Sequence, residues 1–131
     1  MEEESYKEKI SHMKTILAID DEELNLELIS KMLEREGFRV ILARSADEGL
    51  ALLRDEKPEL ILMDIKLQGM DGLQTTRLIK ADPALASIPI VAASAYAMPE
   101  DLEKAREAGC SAYLTKPFGR EALVRKVREL I

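Results

Sequence analysis

The sequence predicts an α/β fold in which a parallel sheet carries helices on both faces. Three observations lead there. Short β-branched and apolar runs alternate five times with segments of helical periodicity. Those runs are continuously apolar, as strands covered on both sides are. The connections are short, and parallel neighbours joined that way take right-handed crossovers.

The elements follow in order. KTILAI (14–19) reads as the first strand. Residues 22–36 read as a helix, with Leu24, Leu28, Ile29, Met32 and Leu33 at helical spacing, stopped by Gly37. FRVILA (38–43) is the second strand. Ser45 is placed to cap a helix that carries Leu50, Leu52 and Leu53. Pro58 closes that connection, and LILM (60–63) is the third strand. Gly69 to Gly72 make a turn into a helix ending near Lys80. Pro83 and Pro89 bracket a loop, and IPIVAA (88–93) is the fourth strand. A helix from Pro99 ends at Gly109, SAYLT (111–115) is the fifth strand, and a last helix from Gly119 buries Leu123, Val124, Val127 and Leu130.

The 131 residues suffice for one domain with a real core. A net charge of -6 argues against a nucleic-acid footprint and against a polybasic membrane anchor. No apolar run approaches the roughly 18 residues of a membrane span. The first fourteen residues, MEEESYKEKISHMK, have no apolar core and are no secretory signal. A cytoplasmic protein is expected. Cys110 stands alone, which excludes an internal disulfide and a multi-cysteine metal site. The one histidine, His12, lies in a polar leader, so a folded histidine dyad or zinc site is not expected. Residues 1–13 read as a mobile leader or a remnant of cloning, and 14–131 as the domain.

In parallel α/β sheets the working site lies beyond the carboxyl ends of the strands. Asp20 and Asp21 follow the first strand, Asp64 the third, Ser94 the fourth and Lys116 the fifth. Each has an ordinary explanation alone: an acidic pair caps a helix, a lone Asp makes a turn, Lys-Pro is a loop. Their joint placement overturns those explanations, because four separate segments aim polar groups at one cleft. Three neighbouring carboxylates raise at least one pKa unless a cation intervenes. Oxygen donors without Cys or His suit a hard ion, and Mg²⁺ better than zinc. A carboxylate nucleophile, a divalent ion, an ammonium and a hydroxyl are the parts of phosphoryl transfer to aspartate.

At ILAIDDEELN (16–25), LILMDIKLQGMDG (60–72), PIVAASAYAM (89–98) and AGCSAYLTKPF (108–118), the chain resembles the response-regulator receiver domains of two-component signalling, the CheY-like superfamily. The resemblance runs from Lys14 to Ile131. It implies a doubly wound, flavodoxin-like (βα)5 fold with strand order 2-1-3-4-5. It also implies that Asp64 accepts a phosphoryl group from the phosphohistidine of a partner histidine kinase or phosphotransfer protein. Asp21, Asp64 and the backbone carbonyl of Lys66 would then bind Mg²⁺, with Asp20 acting mainly through water. Lys116 would hold a phosphoryl oxygen, Ser94 would move to the phosphoryl group, and Tyr113 would turn inward behind it. The Lys116–Pro117 peptide bond would be cis.

The switched surface would be that of the fourth helix, fifth strand and fifth helix, including Met98, Leu102, Tyr113 and Phe118, with plain core packing the alternative for Tyr113 and Phe118. By the same resemblance, Lys66 and Tyr96 occupy positions that in the family tune the lifetime of the acyl phosphate, and the bulk of Tyr96 predicts slow loss. Gln68 stands where the family often has Pro, and Ser94 where it more often has Thr. The chain stops directly after its last helix, so output is expected in trans, through an effector protein, unless a further segment lies elsewhere in a longer protein. Two rivals remain open: a scaffold that is never phosphorylated, and a Mg²⁺-dependent phosphohydrolase with an aspartyl nucleophile. The second expects another Asp two residues after the nucleophile, where this chain has Lys66.

Overall fold

Five parallel strands form one sheet in the order β2-β1-β3-β4-β5. The computed structural model describes residues 13–67, 69 and 71–131; the leader expected over 1–13, apart from Met13, and the departure at Gln68 lie outside the described residues. The strands are β1 (Thr15–Ile19), β2 (Arg39–Ala43), β3 (Leu60–Asp64), β4 (Ile90–Ser94) and β5 (Ala112–Thr115). Between and after them lie α1 (Glu23–Glu34), α2 (Ala46–Glu56), α3 (Gly72–Ala81), α4 (Pro99–Ala108) and α5 (Arg120–Leu130). The predicted architecture and order are those observed, with boundaries moved by a residue or two.

Period-two alternation sorts the strands between two cores. Ile16, Ala18, Leu60, Leu62, Val91 and Ala93 point to one face, where α1 and α5 cover them with Leu26, Ile29, Leu33, Leu123 and Val127. Leu17, Ile19, Ile61, Met63 and Ile90 point to the other, against Leu53 of α2 and Ile79 of α3. Ala105 of α4 closes that second face over Ala92 and Ile65. The central strands β1, β3 and β4 are buried along their whole length, which explains why their sequences are apolar without interruption.

One helix face differs from its sequence reading. Their spacing places Leu24 and Leu28 on the core stripe of α1, yet they are 68% and 48% exposed. The buried stripe is Leu26, Ile29 and Leu33. At about 100° per residue, Leu24 and Leu28 fall roughly half a turn from Leu26. In α5, Leu123 and Val127 are buried whereas Val124 and Leu130 are only partly covered. Phe118 takes the core packing open to it. It packs on the α1 side of the sheet and lines a groove with Leu28 and Met32, rather than joining Met98 and Leu102.

Local signals set the helix ends as read. The Ser45 hydroxyl accepts from Glu48 N at 3.1 Å. Gly109 ends α4 at φ 112°, a left-handed backbone that favours glycine. Asp71 and Gln74 form a reciprocal capping box at the start of α3.

Gly72, the first residue of α3, sits against the backbone that carries Asp64. Its N–H donates to Ile65 O at 2.9 Å. A Cβ there would lie 2.3 Å from Asp64 O and 2.7 Å from Ile65 Cα, so the backbone itself would have to move. Gly72→Ala is expected to lower unfolding stability by about 1–3 kcal/mol, the usual cost of overpacking, measured by urea unfolding. An unchanged midpoint would show that the α3 start yields more easily than its contacts imply.

Candidate functional site

The sheet ladder continues one residue past the strands and so aligns their ends. Asp20 N donates to Ala43 O at 3.0 Å, Ile65 N to Ala93 O at 3.1 Å, and Lys116 N to Ser94 O at 2.8 Å. Asp20 therefore lies beside Asp64 at the ends of the adjacent strands β1 and β3, and Ser94 and Lys116 follow across β4 and β5. The chain leaves β1 toward β2 on one side and β3 toward β4 on the other. A crevice opens between β1 and β3 at this divergence.

Asp20, Asp21 and Asp64 each place a carboxylate oxygen within 4.8 Å of the other two. Asp20 and Asp64 are 2% and 5% exposed, whereas Asp21 faces solvent. Lys116 reaches back over two strands. Its Nζ lies 3.0 Å from Asp20 Oδ2 and 3.5 Å from Asp64 Oδ1. The cis Lys116–Pro117 bond expected from the motif is present.

Burial pushes the Asp64 carboxyl upward from its usual range, and the charges of Asp20 and Asp21 push the same way. Lys116 and the Lys66 N–H oppose this without cancelling it. For Lys116, burial works against the ammonium, but the hydrogen bond and charge of Asp20, with Asp64, hold its pKa above the usual value. One ammonium thus pairs with two members of a cluster of three carboxylates. The donor set is all oxygen, its charge is under-compensated, and one edge is open to solvent. Those properties fit a hard divalent ion such as Mg²⁺ and not zinc.

The remaining predicted residues sit around this cluster in two ways. Lys66 N donates to Asp64 Oδ1 at 3.2 Å, and Lys66 Nζ lies 5.2 Å from the centre of the Tyr96 ring, a cation–π contact. Ser94 is buried, but its hydroxyl oxygen accepts from Tyr96 N at 3.2 Å, so it is bonded to its own loop. The Tyr113 hydroxyl donates to the Tyr96 carbonyl. Ser94, Tyr96 and Tyr113 are therefore linked by two hydrogen bonds, a connection that no sequence motif announces. Asn25 was missed as well. Its amide donates to Asp20 Oδ2 at 2.6 Å. The available signal was its place five residues after Asp20, on the first turn of α1.

A doubly wound sheet with a carboxylate cluster and one lysine at its carboxyl edge defines a class of signalling domain. The family model for the response regulator receiver domain matches residues 16–128, and the chain belongs to that family. It acts in two-component signalling as a regulatory domain. The polar-differentiation response regulator DivK of Brucella ovis is 37% identical over 118 residues, which cover 90% of this chain and 96% of that protein. The receiver domain of sensor histidine kinase PA1611 from Pseudomonas aeruginosa, solved with a magnesium ion coordinated in its active site cleft, is 33% identical. It superposes with a TM-score of 0.83 over 90% of this chain and 97% of that one. Chemotaxis protein CheY4 of Vibrio cholerae shares the fold at a TM-score of 0.87, over 91% of this chain and 99% of its own, with 24% identity.

The raised pKa of Asp64 has a stability consequence with a defined sign. Folding favours the protonated carboxyl, so this contribution is fully present below the unfolded pKa and is lost as pH rises through the folded one. Without added metal, Asp64→Asn is expected to melt above the wild type at pH 7, the two converging as pH falls toward 4. Added Mg²⁺ should raise the wild-type midpoint and leave the variant nearly unmoved. Differential scanning fluorimetry at several pH values measures both; a less stable variant at pH 7 contradicts the electrostatic account.

Proposed function

We propose that the chain is a phosphorylation switch whose acceptor is Asp64. One observation carries this reading: a nearly buried carboxylate at the mouth of the crevice, under-compensated in charge, with an ammonium 3.5 Å from its Oδ1. The donor would be the phosphohistidine of a histidine kinase or phosphotransfer protein. An Asp64 oxygen forms a bond to phosphorus as the phosphorus–nitrogen bond breaks. The imidazole keeps the electron pair and takes a proton from solvent, and the product is an acyl phosphate.

The residues around Asp64 divide the work. Asp20, Asp21, Asp64 and the Lys66 carbonyl would hold Mg²⁺, Asp20 mainly through water; when bound, the ion offsets negative charge on the phosphoryl oxygens. Lys116 shifts from its carboxylate partners to a phosphoryl oxygen, which its flexible stem allows. Ser94 turns its hydroxyl proton to another. The phosphoryl group brings roughly two negative charges and new acceptors, the differential contact that a switch requires.

Readout follows from the hydrogen bonds. A movement of Ser94 disturbs its bond to Tyr96 N, and the Tyr96 carbonyl is what holds the Tyr113 hydroxyl. Tyr113 borders the surface of Leu102, Ala105 and Arg106, beside exposed Met98. An effector protein reading this α4–β5–α5 face would sense the phosphorylation state. Lys66 and Tyr96, paired by their cation–π contact, would slow water attack on the acyl phosphate.

Two measurements test the proposal. Incubation with Mg²⁺ and acetyl phosphate is expected to add one phosphoryl group by intact mass, absent in Asp64→Ala. No gain under varied conditions would favour the scaffold reading, and rapid multiple turnover the hydrolase. In the phosphorylated protein, Tyr96→Ala is expected to shorten the half-life of the modification; an unaltered half-life would remove Tyr96 from lifetime control.

A further inference from the structure

Asp20 is more fully occupied than a simple metal carboxylate needs to be. Its Oδ1 accepts from Glu22 N at 2.9 Å, and its Oδ2 accepts from both Asn25 Nδ2 at 2.6 Å and Lys116 Nζ at 3.0 Å. An amide oxygen turned to that carboxylate would repel it, so Asn25 must present its NH₂. A carboxylate oxygen offers two lone-pair directions, and Oδ2 has both filled.

From this shared acceptor we infer that Asn25 is a positioning residue that lets Lys116 leave Asp20. The inference rests on the phosphoacceptor reading of Asp64. Asp20 is 2% exposed; Oδ1 keeps one lone pair free for a metal-held water, whereas Oδ2 has little access to bulk water that could replace a departing ammonium. Were Lys116 its sole Oδ2 partner, moving to a phosphoryl oxygen would strand a buried charged acceptor, a substantial penalty. With Asn25 in place, Oδ2 keeps a donor throughout, and Lys116 exchanges one partner for another. Asn25 also keeps Asp20 from rotating toward Asp64 as the charges rearrange. It does this from the first turn of α1, half-buried.

This role predicts an effect specific to the loaded state. In the resting protein Lys116 still covers Oδ2, so losing Asn25 should change little. In the loaded protein the loss should be felt. The full chain and its Asn25→Leu, Asn25→Ala and Asn25→Gln variants would be melted with and without Mg²⁺ plus beryllofluoride, a non-covalent phosphoryl mimic. Labelling by acetyl phosphate would be followed by intact mass alongside. Both truncations are expected to keep a near wild-type resting midpoint, lose most of the gain from the mimic, and label about tenfold more slowly, the scale of one hydrogen bond to a charged group. Asn25→Gln, which retains the donor, should recover much of the gain. Truncations that lower the resting midpoint and keep the full gain would make Asn25 a structural cap and overturn the inference, as would collapse of both truncations in the resting state. Wild-type protein that labels normally beside equally fast variants overturns this inference alone. Wild-type protein that takes no phosphoryl group at all overturns it together with the reading of Asp64.

Discussion

Two nearly buried carboxylates, Asp20 and Asp64, lie at adjacent strand ends with one ammonium between them. Much of the molecule exists to make that arrangement possible. The order of the sheet puts β1 beside β3, so the two acids become neighbours although 44 residues separate them in the chain. The ladder bonds beyond the strands hold their backbones in line. Lys116 arrives from β5, two strands away from β3, and its long stem spans the gap. Remove any of these and the acids would have to be protonated, hydrated or separated.

The resting site is therefore electrostatically unfinished. Asp64 carries a carboxyl pushed upward by burial and by its neighbours, and Lys116 is held by its partners in a charged form. Such a site gains most from a cation and from a group that redistributes negative charge, and stability is given up where function sits. The surrounding core can carry that cost. Two continuous apolar layers clamp the sheet, and no buried side-chain polar atom among the described residues lacks a partner.

Communication outward needs no large motion. Ser94, Tyr96 and Tyr113 are joined through a backbone N–H, a backbone carbonyl and two side-chain hydroxyls. In the proposed switch, a displacement of Ser94 would either preserve or break these bonds. Tyr96 also carries the Lys66 contact, so one residue joins the cation–π pair and the two hydrogen bonds.

The strands, the helix caps at Ser45 and Gly109, and the acidic, hydroxyl and lysine residues were legible in the sequence because each depends on local signals: apolar runs, capping chemistry, and polar residues directly after strands. The faces of α1 were less legible. Six apolar residues at mixed spacing allow more than one stripe, and only packing against the sheet chose Leu26, Ile29 and Leu33 over Leu24 and Leu28. Phe118 could have joined either side of β5, and the course of the chain into α5 turned it toward α1. The sequence by itself determined the alternation of elements and the chemical groups available to the site. The tertiary structure alone decided which donors meet which acceptors: Asn25 and Lys116 on one oxygen of Asp20, Tyr113 on the carbonyl of Tyr96. Residue type and spacing specify a group and its strand end. A hydrogen bond between segments tens of residues apart is set by the relative placement of whole elements, which local patterns do not encode.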